Sequence, residues 1–236
     1  MYRRILVMKK LGLLFMVFSL ALLHVFAVQA ETSGSTVSVI LQENPTTGYE
    51  WNYIASPEGI LREVSSEYVQ DAGTEGLMGA GGKRTWTFEG AAEGSTVLHF
   101  AYAQPFEEGV APARLVSFVY MVNEDLNVIQ WGSVEASGGY VFISLTENPT
   151  TGYQWVVKPS AEGVLIQESD EYLQDGAQEG LVGTGGTHTW RYAAAAAGEV
   201  TLHFSLERSF ETGEAKEIRF TFTVDEDLYA ALTMIQ

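Results

Sequence analysis

An internal repeat of about one hundred residues is the feature that most limits how this chain can fold. Residues 43–49, with the sequence ENPTTGY, recur letter for letter as residues 147–153. The same offset of 104 residues relates Trp51 to Trp155. A unit of this length is too long for a solenoid repeat and matches a whole small domain. The repeat therefore predicts two tandem domains.

Each repeat has the residue pattern of β-structure. Apolar residues alternate with polar or smaller ones near the start of each copy, which is the period of a half-buried strand. These alternating positions are Val37, Val39 and Leu41 in the first copy and Val141, Ile143 and Leu145 in the second. Glycine and proline clusters separate further short apolar runs, and no long helical pattern occurs. The fold class that we predict is all-β, with one β-sandwich per repeat.

The N-terminal segment has the pattern of a secretory signal peptide. Basic residues open the chain, an apolar run follows over residues 11–28, and small residues precede position 31. We predict cleavage after Ala30. An uncleaved membrane anchor is the alternative, because about 18 apolar residues are near the minimum for spanning a bilayer. The predicted divisions are a signal peptide at 1–30, a first domain at 31–129, a Ser- and Gly-containing linker at 130–137 and a second domain at 138–236.

Charge and cysteine content exclude several classes of partner and site. Removing residues 1–30 leaves nine basic and 30 acidic residues, a net formal charge of −21. Such a surface repels nucleic acid and anionic lipid, so we expect neither as a partner. The chain has no cysteine, which excludes disulfides, thiolate metal sites and a cysteine nucleophile of its own. We expect no cofactor and no metal.

A glycine-rich stretch before Trp86 superficially resembles a phosphate-binding loop. The required first glycine is replaced by Leu77, and Arg84 stands where the motif needs serine or threonine. The second copy of the stretch has no lysine. A phosphate site is therefore not predicted, and no nucleophile–base pair supports an enzyme.

Three loops in each repeat remain as candidate functional segments, and the first is the most distinctive. We call this Asn-Pro-Thr-Thr-Gly-Tyr segment loop 1. Proline fixes its own φ and extends the preceding asparagine, while glycine permits a positive φ. We predict a stiff, narrow loop with two threonines at its tip. Its residues are Asn44, Pro45, Thr46, Thr47, Gly48 and Tyr49 in the first repeat and Asn148, Pro149, Thr150, Thr151, Gly152 and Tyr153 in the second.

Two further loops accompany loop 1 in each repeat. Loop 2 is a Gly-x-Gly-Gly segment whose bare backbone is suited to close approach by a partner. Its glycines are Gly79, Gly81 and Gly82 in the first repeat and Gly183, Gly185 and Gly186 in the second. Loop 3 ends in an aromatic residue, a common interface anchor. It comprises Gln104, Pro105 and Phe106 in the first repeat and Arg208, Ser209 and Phe210 in the second.

These motifs, in this order over about a hundred residues, resemble the chagasin-type inhibitors of papain-like cysteine proteases. Loops 1 and 2 match the family pattern in both repeats. Loop 3 matches in part, because Gln104 stands where the family has arginine and Ser209 where it has proline. The first repeat thus keeps the stiff Pro105 and the second keeps the charged Arg208, so we expect the two domains to prefer different proteases.

The resemblance implies an immunoglobulin-like sandwich with the three loops side by side at one end. It also implies that loop 1 enters the protease cleft at the catalytic cysteine while loops 2 and 3 grip its sides, without a covalent bond. We therefore expect a secreted or periplasmic, monomeric, reversible inhibitor of papain-like proteases with no enzymatic activity of its own. The alternative is an immunoglobulin-like adhesion module that binds sugars or surfaces. Its sugar platform would consist of the aromatic residues Tyr49, Trp51, Phe106, Tyr153, Trp155 and Phe210.

Overall fold

The computed structural model describes residues 29–73, 79–106, 110–175, 184–208 and 216–236. In the first repeat these residues form β1 (Gln29–Ser33), β2 (Thr36–Glu43), β3 (Glu50–Ser56), β4 (Leu61–Gln70), β5 (Gly82–Gly90), β6 (Gly94–Ala103), β7 (Arg114–Val122) and β8 (Val128–Ser137). The second repeat adds β9 (Tyr140–Glu147), β10 (Tyr153–Pro159), β11 (Leu165–Gln174), β12 (Gly186–Ala194), β13 (Gly198–Arg208), β14 (Lys216–Val224) and β15 (Ala230–Ile235). Within the described ranges, no helix is long and apolar enough to span a membrane.

The strands form two sandwiches that share one long sheet. A seven-stranded sheet has the order β11-β12-β9-β8-β7-β6-β3, and all of its neighbouring strands are antiparallel. The four-stranded sheet β1-β2-β5-β4 covers the part of it that belongs to the first repeat, and β10-β13-β14-β15 covers the part that belongs to the second. The predicted all-β architecture of two sandwiches is confirmed.

Each sandwich has its own apolar core between its two layers. The first core joins Val39 and Trp86 of the four-stranded sheet to Phe100 and Phe118 of the long sheet. The alternating residues predicted to point inward do so, since Val37, Val39 and Leu41 are at most 1% exposed, as are Val141, Ile143 and Leu145. Period-two alternation thus defined the inner face of β2 and β9 correctly.

Strand β8 contributes to both sandwiches. It pairs with β7 along one edge and with β9 along the other, and residues 132–136 are paired on both sides. Residues 130–137, which we predicted to be a linker, thus lie within a strand. The physical reason is alternation, because Val134 and Ala136 are each 1% exposed and point into a core while their neighbours do not.

The predicted signal peptide falls mostly outside the described residues, which begin at Gln29. Its last two residues, Gln29 and Ala30, lie in β1 and are paired with Ile40 and Val39 of β2. Cleavage after Ala30 would leave the remaining three residues of β1 in place. The signal peptide and the limits of the two domains stay predictions.

Candidate functional site

Loop 1 of the first domain is held by hydrogen bonds that its own sequence supplies. Residues Pro45–Thr47 form a 3₁₀ turn, and the Oδ1 atom of Asn44 accepts hydrogen bonds from the Thr46 backbone N–H at 3.2 Å and from the Thr46 hydroxyl at 2.6 Å. The Thr47 hydroxyl donates to the Asn44 carbonyl at 2.7 Å. Gly48 ends the turn with a φ of 79°, a left-handed conformation that favours glycine. The predicted stiff loop is therefore present in the structure.

Loop 1 of the second domain repeats this geometry. The Oδ1 atom of Asn148 accepts from the Thr150 backbone N–H at 3.2 Å and from the Thr150 hydroxyl at 2.6 Å. The Thr151 hydroxyl donates to the Asn148 carbonyl at 2.6 Å, and Gly152 has a φ of 83°. Both threonines of each loop are exposed. The two domains thus present tips of the same shape to solvent.

The structure joins loop 2 to loop 1 in the first domain. The Asn44 side-chain amide donates to the Gly79 carbonyl at 3.0 Å. A Cβ on Gly81 would lie 3.4 Å from the Glu43 carbonyl oxygen, directly before loop 1. In the second domain a Cβ on Gly185 would lie 3.1 Å from the Glu147 carbonyl oxygen, whereas Gly183 lies outside the described residues.

The last glycine of loop 2 is required by the fold. A Cβ on Gly82 would lie 2.3 Å from the Val69 carbonyl oxygen, and a Cβ on Gly186 would lie 2.3 Å from that of Leu173. These distances leave no room for a side chain, because β4 and β11 pass directly alongside. Gly82 and Gly186 therefore admit a neighbouring strand, and the role of the loop 2 glycines in admitting a partner stays a prediction.

Loop 3 completes the cluster in the first domain. The Gln104 side-chain amide donates to the Thr47 carbonyl at 3.2 Å. The Phe106 ring lies over Gly48, such that a Cβ there would be 3.2 Å from the ring, and this phenylalanine is 70% exposed. Pro105 is also exposed. Loop 3 thus supports loop 1 with one residue and offers an apolar ring beside it with another.

In the second domain Arg208 occupies the corresponding place beside loop 1. A Cβ on Gly152 would lie 3.2 Å from the Arg208 Nε atom, and the guanidinium carbon is 5.4 Å from the centre of the Tyr153 ring. Ser209 and Phe210 lie outside the described residues. Gln104 in the first domain and Arg208 in the second thus lie beside the glycine of their own loop 1.

Aromatic residues of the neighbouring strands anchor loop 1 of the first domain. The Tyr102 hydroxyl accepts a hydrogen bond from the Asn44 backbone N–H at 3.1 Å, and its ring centre lies 5.2 Å from that of Tyr49 and 4.9 Å from that of Trp51. Trp51 and Trp155 are 4% and 7% exposed. These two buried indoles cannot form part of a sugar platform, whereas Phe106 is 70% exposed. Sequence reasoning missed Tyr102, whose counterpart in the second repeat is Leu206.

A buried carboxylate lies at the root of loop 1 in both domains. The Glu43 side chain is inaccessible to solvent and pairs with Arg84, whose Nε lies 2.5 Å from Oε2. Sequence reasoning did not identify this pair. The signal was available, because the alternation that buries Val37, Val39 and Leu41 continues to Glu43.

The second domain pairs its buried carboxylate with a histidine. His188 stands where the first domain has Arg84, and its ring nitrogens lie 2.5 Å from Glu147 Oε2 and 2.5 Å from Asp170 Oδ1. Carboxylate oxygens accept hydrogen bonds, so both contacts are hydrogen bonds when both ring nitrogens carry protons. The ring also stacks on Trp190, with centres 3.9 Å apart. Loop 1 thus rests on a hydrogen-bonded, buried carboxylate in each domain, with Arg84 as its partner in the first and His188 in the second.

The exposed tips of loop 1 are suited to binding. Each tip consists of small hydroxyl side chains that are tied to their own backbone. In the part of the chain that the structure describes, no group of three or more His, Asp or Glu side chains is placed to hold a metal ion.

Comparisons with known proteins relate the chain to a family of inhibitors. The model of the chagasin family peptidase inhibitor I42 matches residues 31–122 and 136–224, one range in each repeat. Amoebiasin-1 from Entamoeba histolytica is 37% identical over 73 residues, which are 31% of this chain and 69% of that protein.

Two solved structures are similar over about a third of the chain. The crystal structure of the cysteine protease inhibitor EhICP2 from Entamoeba histolytica is 24% identical with a TM-score of 0.33, and the match covers 36% of this chain and 75% of that one. The solution structure of Amebosin is 30% identical with a TM-score of 0.28, and the match covers 36% of this chain and 76% of that one.

Proposed function

Because the chain belongs to the chagasin family of peptidase inhibitors, we propose that each of its domains reversibly blocks papain-like cysteine endopeptidases by placing loop 1 in the active-site cleft. Family membership confirms the resemblance drawn from the loop motifs. It identifies the chain as an inhibitor of cysteine proteases and not as an enzyme.

The observation that carries this proposal is the hydrogen-bonded connection of the three loops. Asn44 joins loop 1 to Gly79 of loop 2, and Gln104 joins loop 3 to Thr47 of loop 1. Loops that are already ordered lose little conformational freedom on binding, so less of the contact energy is spent on ordering them. A cluster of this kind is suited to tight binding through an interface of ordinary size.

The shape of the tip agrees with reversible, non-covalent inhibition. Thr46 and Thr47 are exposed and small, so they fit a narrow slot. The Thr46 backbone N–H and the Thr47 hydroxyl are bonded within the loop, which holds the backbone in a tight 3₁₀ turn. A protease cleft accommodates an extended substrate, so we propose that the loop occupies the cleft without being cut. Phe106 would then lie against one wall of the cleft and Gly79 against the other.

We further propose that the inhibitor acts outside the cytoplasm as a released monomer. The support is the signal peptide pattern of residues 1–30, together with a mature chain whose charge of −21 disfavours nucleic acid and anionic lipid as partners. Secretion would be tested by N-terminal sequencing of protein recovered outside the cell, with Glu31 expected as the first residue.

The test of the proposed function is a pair of substitutions at the tips. Thr46→Arg and Thr150→Arg together place a long charged side chain on each tip, which would exclude both tips from a narrow cleft. We expect the doubly substituted chain to lose inhibition of papain by at least about 100-fold, that is, about 2.7 kcal/mol. The matched control is Thr46→Ser with Thr150→Ser, which keeps the hydroxyls and should keep the inhibition.

Two results would overturn the proposal. One is a folded wild-type chain that leaves papain fully active at micromolar concentration. The other is an arginine variant that inhibits as strongly as the serine control.

A further inference from the structure

Strand β8, which the two sandwiches share, determines the directions in which the two loop clusters point. We propose that one chain binds two cysteine proteases at the same time, one at each end of the seven-stranded sheet. This inference rests on the proposed function and adds its stoichiometry and geometry. Each domain has a loop end, where loops 1, 2 and 3 lie, and a hairpin end, which is the opposite end of the same sandwich.

The strand pairing shows that the loop end of the first domain coincides with the hairpin end of the second. Leu115 follows loop 3 of the first domain and pairs with Ala136 of β8. Ala136 pairs on its other side with Val141, directly after the hairpin at Gly138 and Gly139. The first loop cluster and the second hairpin therefore lie at the same end of the strands of the seven-stranded sheet.

At the opposite end of the strands, the hairpin end of the first domain lies beside the loop end of the second. Val128 opens β8 and pairs with Val122, beside the turn at the hairpin end of the first domain. A little further along β8, Gly132 pairs with Leu145, two residues before Glu147 and the start of the second loop 1. The second loop cluster therefore faces away from the first.

Two side-chain contacts between the domains agree with this arrangement. The Tyr229 hydroxyl, in the turn between β14 and β15 at the hairpin end of the second domain, donates to the Pro112 carbonyl just after loop 3 of the first. At the other end of the strands, the Lys216 ammonium lies 5.8 Å from the centre of the Trp131 ring. Lys216 is the first residue of β14, after loop 3 of the second domain. Each contact joins a loop end to the neighbouring domain in the expected way.

The separation of the two clusters can be estimated from the strand. Ala136 and Gly132 are four residues apart, and Glu147 lies two residues beyond Leu145, so at roughly 3.3 Å per residue the two loop ends begin about 20 Å apart. The two loop clusters then project outward from opposite ends of the strands. Two enzymes bound at these ends would have the whole sheet between them and would not collide.

The junction is also too rigid to bring both clusters onto one enzyme. Residues 132–136 are hydrogen-bonded to β7 and to β9, so bending there would break sheet pairing on two sides. A flexible linker would have allowed both domains to approach a single target. The structure instead favours one inhibitor chain between two enzyme molecules.

The experiment measures the mass of the complexes formed by the full chain with excess papain, by light scattering during size-exclusion chromatography. We expect one chain with two papain molecules. The Thr46→Arg chain and the Thr150→Arg chain should each bind one papain, and the chain with both substitutions should bind none. Small-angle scattering of the larger complex should show the two enzymes on opposite sides of the inhibitor.

The outcomes separate this inference from the proposed function. If the wild-type chain never exceeds one papain while both single variants still bind one, the two sites exclude each other and the inference is wrong. If only one single variant binds papain, one domain is inactive, and the inference fails while inhibition remains. If no complex forms and papain stays active, the proposed function fails as well.

Discussion

Replacing Asn44 tests whether the loops inhibit because they are held rigid before they meet an enzyme. Its side chain has two separate roles. The Oδ1 atom accepts two hydrogen bonds from Thr46 and so caps the 3₁₀ turn of loop 1. The Nδ2 atom donates to Gly79 and joins loop 1 to loop 2. Asn44→Asp keeps the cap and removes the donor, whereas Asn44→Ala removes both.

The expected magnitudes follow from these contacts. A neutral hydrogen bond of this kind contributes about 1 kcal/mol net. A capping side chain contributes about 1 kcal/mol as well. Loop order that is lost in the free inhibitor must be restored on binding, so the cost is subtracted from the affinity. We therefore expect Asn44→Asp to weaken inhibition about 5-fold and Asn44→Ala about 30-fold, since 1.4 kcal/mol corresponds to a factor of ten.

The assay uses chains that also carry Thr150→Arg, so that only the first domain inhibits. Inhibition constants against papain are measured for the parent, the Asp variant and the Ala variant, and urea unfolding of each chain shows whether the fold is intact. The reasoning would be refuted if the Ala variant unfolded at the same urea concentration as the parent and inhibited equally well. Loop order would then have no influence on binding.

Three further predictions concern the support of the loops and the selectivity of the domains. Arg84→Met leaves the Glu43 carboxylate buried and unpaired, so it should lower the free energy of unfolding by about 3 kcal/mol. Urea titration should show that adding Glu43→Gln restores most of this loss, and a double variant no more stable than Arg84→Met would contradict the prediction. Burial lowers the pKa of His99, so its contribution to the free energy of unfolding is complete above about pH 6.5 and is lost as the pH falls, because the unfolded chain takes up the proton first. The urea midpoint of His99→Gln should therefore change less between pH 7 and pH 5 than that of the wild-type chain, and an equal change in the two would contradict this. Chains with Thr46→Arg or Thr150→Arg are each expected to inhibit through one domain. Because loop 3 differs between the domains, the two chains should rank a panel of papain-like enzymes differently, and one common ranking would show that loop 3 does not select.

The sequence predicted the architecture and loop 1 because both depend on local rules. Alternation placed Val39 and Ile143 in the cores, and the proline and glycine of the Asn-Pro-Thr-Thr-Gly-Tyr segment were sufficient to predict a stiff turn. The connections between loops were out of reach, because nothing in sequence spacing shows that the Asn44 amide meets the Gly79 carbonyl, 35 residues later. That contact depends on how β2 and β5 are paired.

Composition was given more weight than periodicity in the linker interpretation, and the buried position of Glu43 was not foreseen. Ser133, Ser137 and the two glycines that follow are typical of a linker, yet Val134 and Ala136 alternate with them as in a strand. Glu43 occupies the next inward position of its strand, but a charged residue is usually assigned to the surface. In both places the alternation already indicated the observed structure.

The opposite orientation of the domains follows from the length of the connection between them. Gly138 and Gly139 leave room only for a tight hairpin, and a hairpin makes β9 antiparallel to β8. Since β8 runs toward the loop end of the first domain, β9 must run away from it, and loop 1 of the second domain follows at the end of β9. A connection long enough to cross over the sandwich would have allowed parallel loop clusters. Sharing β8 also leaves no exposed strand edge at the junction, which would otherwise be open to pairing with other chains. The same short hairpin therefore leaves β8 paired on both sides and directs the two loop ends apart.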